Sequence, residues 1–145
     1  MQQIETNHDM NKQRLELEYV LRSNSENIIW NTISTATGLQ KWIADEVKGE
    51  VTGEGSKLTF TWGDIYKHHE TRTATVLKCV KNKYIRMRWD DEQTPEAFLE
   101  MRISKSELTN DYVLSVIDYA NPEDLDSLRD IWDQNFEELH RNTGL

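Results

Sequence analysis

The side chains best suited to metal binding lie in one short stretch. Residues 67–70, KHHE, carry two imidazoles and a carboxylate, and both groups are common zinc ligands. Neighbouring residues of a strand point to opposite faces, so only His68 and Glu70 can converge. The other histidines, His8 and His140, lie near the two termini. Because two ligands are too few, the sequence predicts an exposed hairpin here, no metal site and no cofactor.

The single cysteine, Cys79, is the candidate thiol nucleophile. Lys78 and Lys81 lie beside it, and neighbouring positive charges lower the pKa of a thiol. No histidine is adjacent in sequence to serve as a base, and a buried strand thiol is the commoner arrangement. The chain also lacks a serine elbow, a glycine-rich phosphate loop and a paired-cysteine motif. We therefore expect no catalytic residues and favour a non-enzymatic role, with an enzyme as the weaker alternative.

Large apolar side chains suggest a third kind of site, a ligand cavity. Ligand pockets are mostly apolar with a few placed polar groups, and Asn135 is the polar side chain on the apolar stripe of the last predicted helix. A packed core has the same composition, so the pattern leaves open whether these side chains surround a ligand or fill the space themselves. The candidate lining residues are Trp42, Phe60, Trp62, Met87, Trp89, Met101, Tyr119, Trp132, Asn135 and Phe136.

Trp42 follows a short polar stretch within residues 34–47, STATGLQKWIADEV. It could line the mouth of a cavity or anchor a weak helix. The helix in question contains Gly38, and a central glycine costs about 1 kcal/mol against alanine. Since tertiary packing supplies most of the stability of a helix, we favour the anchor role and place Trp42 at the entrance of the expected pocket.

A basic and aromatic face is predicted on two adjacent strands. Tyr84, Arg86 and Arg88 alternate with apolar residues in YIRMRW, and Arg102 does so in AFLEMRI. These side chains could receive an acidic protein partner. The alternative is a solvent-exposed face with cross-strand ion pairs, each of which contributes little to stability. We favour the alternative and retain these four residues as candidates for partner binding.

The elements that must position these residues begin with a strand and two short helices. Alternation of apolar and polar residues in RLELEYVLR, residues 14–22, is typical of a half-buried strand. Ser23 with Glu26 three residues later matches a capping box for the first helix. Thr35 can cap a second, shorter helix that reaches Ile43.

Six further strands follow, separated by turn residues. This short, even spacing is typical of an antiparallel meander. The strand-like runs cover residues 47–51, 57–62, 70–78, 84–89, 97–104 and 112–119.

The end of the chain predicts a long amphipathic helix. Asn121 is a suitable cap and Pro122 a suitable first residue. No other predicted element is long enough to cover one face of the sheet. The sequence therefore predicts an α+β fold in which a curved antiparallel sheet wraps around this helix. Its apolar stripe comprises Leu125, Leu128, Trp132, Phe136 and Leu139.

Composition narrows the class of protein. A chain of 145 residues is the size of one domain, and its net charge of −9 disfavours nucleic-acid binding. We see no signal peptide and no apolar run long enough to cross a bilayer, and one cysteine fits a reducing cytoplasm. We expect a disordered lead over residues 1–11, a single cytoplasmic domain over residues 12–145 and no membrane insertion. The oligomeric state is left open.

Three segments together resemble the START-like superfamily, also called the helix-grip or SRPBCC fold. They are SENIIWNTISTATGLQKWIADEV near the start, IRMRWDDE in the middle and LDSLRDIWDQNFEELH at the end. A threonine followed by Leu39 and Trp42 is similar to the Aha-type branch, which is related to an activator of chaperone ATPases. The chain also resembles small acidic START-like proteins of Bacteroidetes. The resemblance covers roughly residues 12–141.

The resemblance implies binding of a ligand or a partner. We expect a non-enzymatic protein that holds a small hydrophobic or amphipathic ligand in a cavity between the sheet and the C-terminal helix. The alternative is a protein-interaction module of the chaperone-accessory type, which would use the basic strand face or the acidic C-terminal helix.

Overall fold

Seven antiparallel strands and three α-helices make up the fold of residues 12–145. The computed structural model describes residues 12–145, and the disorder predicted for residues 1–11 lies outside them. The strands are β1 (Gln13–Val20), β2 (Glu46–Gly49), β3 (Lys57–Gly63), β4 (His69–Val80), β5 (Tyr84–Trp89), β6 (Leu99–Lys105) and β7 (Tyr112–Ala120). The helices are α1 (Glu26–Ser34) and α2 (Ala36–Gln40), which connect β1 to β2, and α3 (Leu125–Thr143), which follows β7.

The strands form one sheet in the spatial order β1-β7-β6-β5-β4-β3-β2. The sheet curves around α3, which confirms the predicted α+β helix-grip architecture. Within residues 12–145, no helix is both long enough and apolar enough to cross a membrane.

The core lies between the inner face of the sheet and the helices. Strand residues alternate between the two faces, so Phe60, Met87 and Met101 point inward and are fully buried. Trp132 and Phe136 of α3 belong to the same buried cluster. Burial of an apolar side chain of this size contributes about 1.5–3 kcal/mol to folding, so these two side chains help to hold α3 against the sheet.

The first two helices begin with side-chain caps. Ser25, not the predicted Ser23, caps α1, because its Oγ accepts the backbone N–H of Ile28 at 3.4 Å. Ser23 lies before the helix, and its Oγ accepts the backbone N–H of Ser25 at 3.0 Å. The predicted cap of α2 is confirmed, since Thr35 Oγ1 accepts the backbone N–H of Gly38 at 3.0 Å.

The long helix begins later than the sequence predicts. A short 3₁₀ turn occupies Pro122–Asp124, and α3 starts at Leu125. Asn121 precedes the turn, and its side chain accepts no capping hydrogen bond from it; its backbone carbonyl instead accepts the N–H of Asp124 at 2.8 Å. Gly144 ends α3 with φ of 78°, a left-handed conformation that glycine adopts without steric cost.

Trp42 fixes the α1–α2 unit to the rest of the molecule. Its side chain is buried, and its indole Nε1 donates to the backbone carbonyl of Thr32 at 3.1 Å. Its ring lies 5.9 Å from that of Trp132 and 6.1 Å from that of Phe136. These contacts are those of a helix anchor.

Candidate functional site

A cleft of about 490 Å³ opens between the inner face of the sheet and α3. Side chains of β3 to β7 form one wall, and side chains of α3 form the other. Its lining combines large aromatic rings with charged and amide groups. The lining residues are Ile43, Trp62, Glu70, Arg72, Trp89, Leu99, Asp118, Leu128, Ile131, Trp132, Gln134 and Asn135.

Three indole rings dominate the apolar part of the cleft. Trp62 on β3 and Trp89 on β5 lie 6.0 Å apart between ring centroids, and Trp132 faces them from α3. The fully buried ring of Phe60 supports the two strand indoles, at 6.1 Å from Trp62 and 5.2 Å from Trp89. The Trp62 indole Nε1 also donates to the carbonyl of Ile43 at 2.8 Å, so its orientation is fixed.

Arg72 closes one side of the cleft. Its guanidinium lies over the Trp89 ring, 4.3 Å from the centroid. Its Nε and Nη2 donate to the two carboxylate oxygens of Asp91 at 3.1 and 2.7 Å. This hydrogen bonding holds the pKa of Asp91 below its ordinary value. Arg72 is therefore positioned by a carboxylate outside the cleft and a ring inside it.

Asp118 is a half-buried carboxylate that faces the cleft from β7. It pairs in register with Leu15 of β1, whose side chain is buried on the inner face. The Trp132 indole Nε1 donates to Asp118 Oδ2 at 3.0 Å, and the backbone N–H of Tyr119 donates to Oδ1 at 2.8 Å. The Trp132 contact links the sheet directly to α3.

The environment of Asp118 favours its protonated form. Burial raises its pKa to about 6, against the smaller opposing effects of its two hydrogen bonds and of the charges on Arg72 and Lys12. A desolvated carboxylate without an adjacent counter-ion behaves in this way. Such shifted groups are concentrated at functional sites, which makes Asp118 the most distinctive polar group of the cleft.

The fold of this chain is shared with known proteins. The START-like superfamily domain matches residues 9–145 of this chain. This chain belongs to the START-like superfamily. A Bacteroides fragilis protein solved in solution by NMR is 36% identical over 91% of each chain, with a TM-score of 0.58. No curated protein sequence matches the chain.

Two more distant structures share the fold of this START-like domain. The Aha1 dimer of Colwellia psychrerythraea is 16% identical, covers 91% of this chain and 98% of its own, and has a TM-score of 0.70. CalU16 of Micromonospora echinospora is 15% identical, covers 90% of this chain and 75% of its own, and has a TM-score of 0.67. At these identities the likeness extends to the fold alone.

The structure brings four of the ten predicted cavity residues of this START-like domain to the cleft: Trp62, Trp89, Trp132 and Asn135. Trp42 lines a neighbouring surface depression with Asn135. Phe136 faces a groove on the far side of α3.

Three other candidates, Phe60, Met87 and Met101, are wholly buried beneath the cleft. They do not border the open space. They fill the core beneath it, in agreement with the alternative interpretation of this residue pattern.

The prediction that Tyr119 lines the cavity is wrong. Its register partner across the sheet is Arg14, an exposed residue of the outer face, and its ring packs edge-on against Phe98 at 5.2 Å. Asp118 occupies the inward position instead. The sequence does contain a sign of this arrangement. Leu114, Val116 and Asp118 are spaced two residues apart, so they lie on the same face of β7.

The basic strand face is largely neutralised within the chain. Glu100 is only 2% exposed, and its Oε1 accepts Arg86 Nε and Nη2 at 3.0 and 2.7 Å. Its Oε2 accepts Arg102 Nε at 3.2 Å, and the Arg102 guanidinium lies 4.1 Å from the Tyr84 ring centroid. Three of the four partner-binding candidates thus surround one buried carboxylate.

Arg88, the fourth candidate, holds a loop. Its guanidinium donates to the backbone carbonyls of Glu92, Pro95 and Ala97 at 2.9 to 3.1 Å. These three bonds fix the segment between β5 and β6. Its local role is therefore structural.

The candidate metal ligands and the candidate thiol nucleophile lie in environments that do not favour those roles. His68 and Glu70 are exposed, and no group of three or more histidine, cysteine or acidic side chains within residues 12–145 is arranged to hold a metal. Burial raises the pKa of the Cys79 thiol, so the lowering expected from its lysine neighbours does not occur. Glu70, considered in the sequence only as a metal ligand, instead borders the cleft.

Proposed function

We propose that this protein binds a small amphipathic molecule in the cleft between the sheet and α3. The observation that carries the proposal is a space of about 490 Å³ in which three indole rings and a half-buried carboxylate, Asp118, share one lining. Ligand sites are typically clefts of roughly 300–1,000 Å³ with apolar walls and a few placed polar groups. The space therefore suits a ring-sized molecule that has an apolar body and one polar end.

The polar groups of the cleft are suited to holding rather than converting a ligand. Arg72 is bonded through two nitrogens to Asp91, and Asp118 is bonded to Trp132. These bonds fix the walls and leave Asp118 with unused lone pairs, because an ionised carboxylate can accept about four hydrogen bonds. This supports a non-enzymatic binding role.

The outer face offers weaker support for a protein partner. Arg86 and Arg102 already satisfy Glu100, so an acidic partner would have to compete with an internal carboxylate. Because Glu100 is buried, removing its basic partners would leave an uncompensated buried charge, which is strongly destabilising. The cleft therefore carries the proposal, and the outer face does not.

A blocking substitution tests this proposal. Ile131 borders the cleft from α3 and is 53% exposed, so Ile131→Trp should fold and fill the opening. Ile28 of α1 is equally exposed at 53% but is not among the residues that line the cleft, which makes Ile28→Trp the matched control. The probe is 1-naphthalenemethanol, followed through the side-chain indole signals in two-dimensional NMR.

We expect saturable shifts of the Trp62, Trp89 and Trp132 indole signals in the wild type and in Ile28→Trp. We expect their loss in Ile131→Trp. Unsaturable shifts in the wild type, or equal binding by Ile131→Trp, would overturn the proposal.

A further inference from the structure

The acidic side chains that line the cleft outnumber the basic ones. Arg72 is paired with Asp91 through two hydrogen bonds, and it forms no ion pair with Glu70 or Asp118 of the same cleft lining. Lys12, the other cation whose charge acts on Asp118, is itself paired with Glu92 at 2.8 Å. The described lining therefore carries net negative charge.

Asp118 is held by two donors, neither of which is charged. The Trp132 indole and the backbone N–H of Tyr119 each supply one neutral hydrogen bond. The charges of Arg72 and Lys12 also act on Asp118, but they do not compensate for its desolvation. A ligand that brings a positive N–H donor would supply both the missing charge and a further hydrogen bond.

The indole wall favours the same ligand chemistry. Arg72 already rests over one indole of this wall, 4.3 Å from the Trp89 centroid, which shows that the wall accepts a cation. Tryptophan is the aromatic side chain that attracts cations most strongly. The rings of Trp62 and Trp132 border the same space, next to the carboxylate.

We infer that the cleft selects a protonated amine carried on a ring-sized apolar body, with Asp118 accepting the ammonium N–H and the indoles packing against the body. The inference rests on the proposed function and names the chemical class of its ligand. It excludes carboxylic acids, whose charge matches that of Glu70 and Asp118.

The inference predicts a specific pH dependence. The charges that act on Asp118 are those of Arg72 from β4 and Lys12 before β1, while Trp132 of α3 and the backbone N–H of Tyr119 contribute neutral hydrogen bonds. Glu70 of β4 borders the same cleft, and Asp91, in the loop after β5, is paired with Arg72. Burial raises the pKa of Asp118 to about 6, and only the ionised carboxylate pairs with an ammonium group. As the pH is raised toward 6, ammonium affinity should therefore increase about tenfold per pH unit, and above pH 6 it should level off. The affinity of a neutral alcohol should not follow this curve.

Three probes of similar shape but different charge test whether the cleft prefers an amine. They are 1-naphthylmethylamine, 1-naphthalenemethanol and 1-naphthoic acid, which are cationic, neutral and anionic at pH 7.5. Dissociation constants are measured by NMR titration on the wild type, on Asp118→Asn and on Asp133→Asn. Asp133 is an exposed carboxylate of α3 that borders the groove on the far side of the helix, so its variant controls for loss of one negative charge.

We expect the amine to bind the wild type and Asp133→Asn at least about tenfold more tightly than the alcohol, a difference in line with a charge-assisted hydrogen bond. The preference should fall to about twofold or less in Asp118→Asn. Equal affinities of the amine and the alcohol in the wild type, or an unchanged preference in Asp118→Asn, would overturn the inference and leave the proposed function standing. Failure of all three probes to bind the wild type would overturn both.

Discussion

Replacement of Gly38 by alanine is expected to destabilise the protein by about 2–3 kcal/mol, the upper part of the range for overpacking in a rigid core. A Cβ at this position would lie 2.2 Å from the backbone oxygen of Asn31 and 2.7 Å from Cα of Thr32. Both atoms belong to the backbone of α1, so no side chain can rotate away. The only relief is a separation of α1 and α2, which would also disturb the anchor contact of Trp42.

The control for this prediction lies one residue away. Thr37 is on the same helix but exposed, so Thr37→Ala should change the free energy of unfolding by no more than about 0.5 kcal/mol. Urea unfolding of both variants at equal pH gives the comparison. A gain in stability from Gly38→Ala, as helix propensity alone would give, would contradict the close packing of the two helices.

The second large effect is a pH dependence caused by Asp118. Its pKa is about 6 in the folded protein, against an ordinary value of about 3.9. The folded state therefore holds this proton more tightly than the unfolded chain, and raising the pH between these values favours unfolding. From pH 4.5 to 7.5 we expect the wild type to lose about 2 kcal/mol of stability relative to Asp118→Asn.

The variant is needed because other carboxylates act in the opposite direction. The pKa values of Asp90, Asp91 and Glu92 are lowered by ion pairs and hydrogen bonds, so these groups stabilise the fold as the pH rises. Their effect is common to both proteins and cancels in the difference. Denaturant unfolding at several pH values measures it. Parallel stability curves for the wild type and Asp118→Asn would contradict the desolvation of Asp118.

Much of the fold could be predicted from local patterns. The seven strands and the long amphipathic helix follow from periodicity, since apolar residues that face a single core must repeat every two or about every 3.6 residues. The ends of the elements were less predictable. Ser23 and Ser25 are both suitable caps for α1 in sequence, and only the geometry of the turn shows that Ser25 accepts the N–H of Ile28.

The main wrong prediction at the site concerns which side chains of β7 face inward. The strand YVLSVIDYA carries apolar residues in both phases, so Ile117 and Tyr119 look as suitable for the core as Leu114 and Val116. Packing of the Phe98 ring against Tyr119 explains this ambiguity, because these two aromatic side chains lie together on the outer face. Asp118 was missed as a consequence, since an acidic residue was not expected to face inward.

The indoles of the cleft were predictable, but its polar groups were not. The sequence identifies the three indoles because they are large apolar side chains at inward-facing positions. Trp62 and Trp89 follow the strand alternation, and Trp132 lies on the apolar stripe of the helix. Arg72 and Asp118 reach the cleft only because non-adjacent strands of a curved sheet bring them to the same side of α3. Their convergence depends on tertiary geometry that no local pattern contains.

The central claim is that the cleft between the sheet and α3 holds a small molecule. Native mass spectrometry of the protein purified from its native cells under non-denaturing conditions, followed by denaturation, tests it most directly. We expect a reproducible bound mass that is released on denaturation, persists in Ile28→Trp and is absent from Ile131→Trp. A bare polypeptide mass in the wild type, or a bound mass that Ile131→Trp retains in full, would contradict the account.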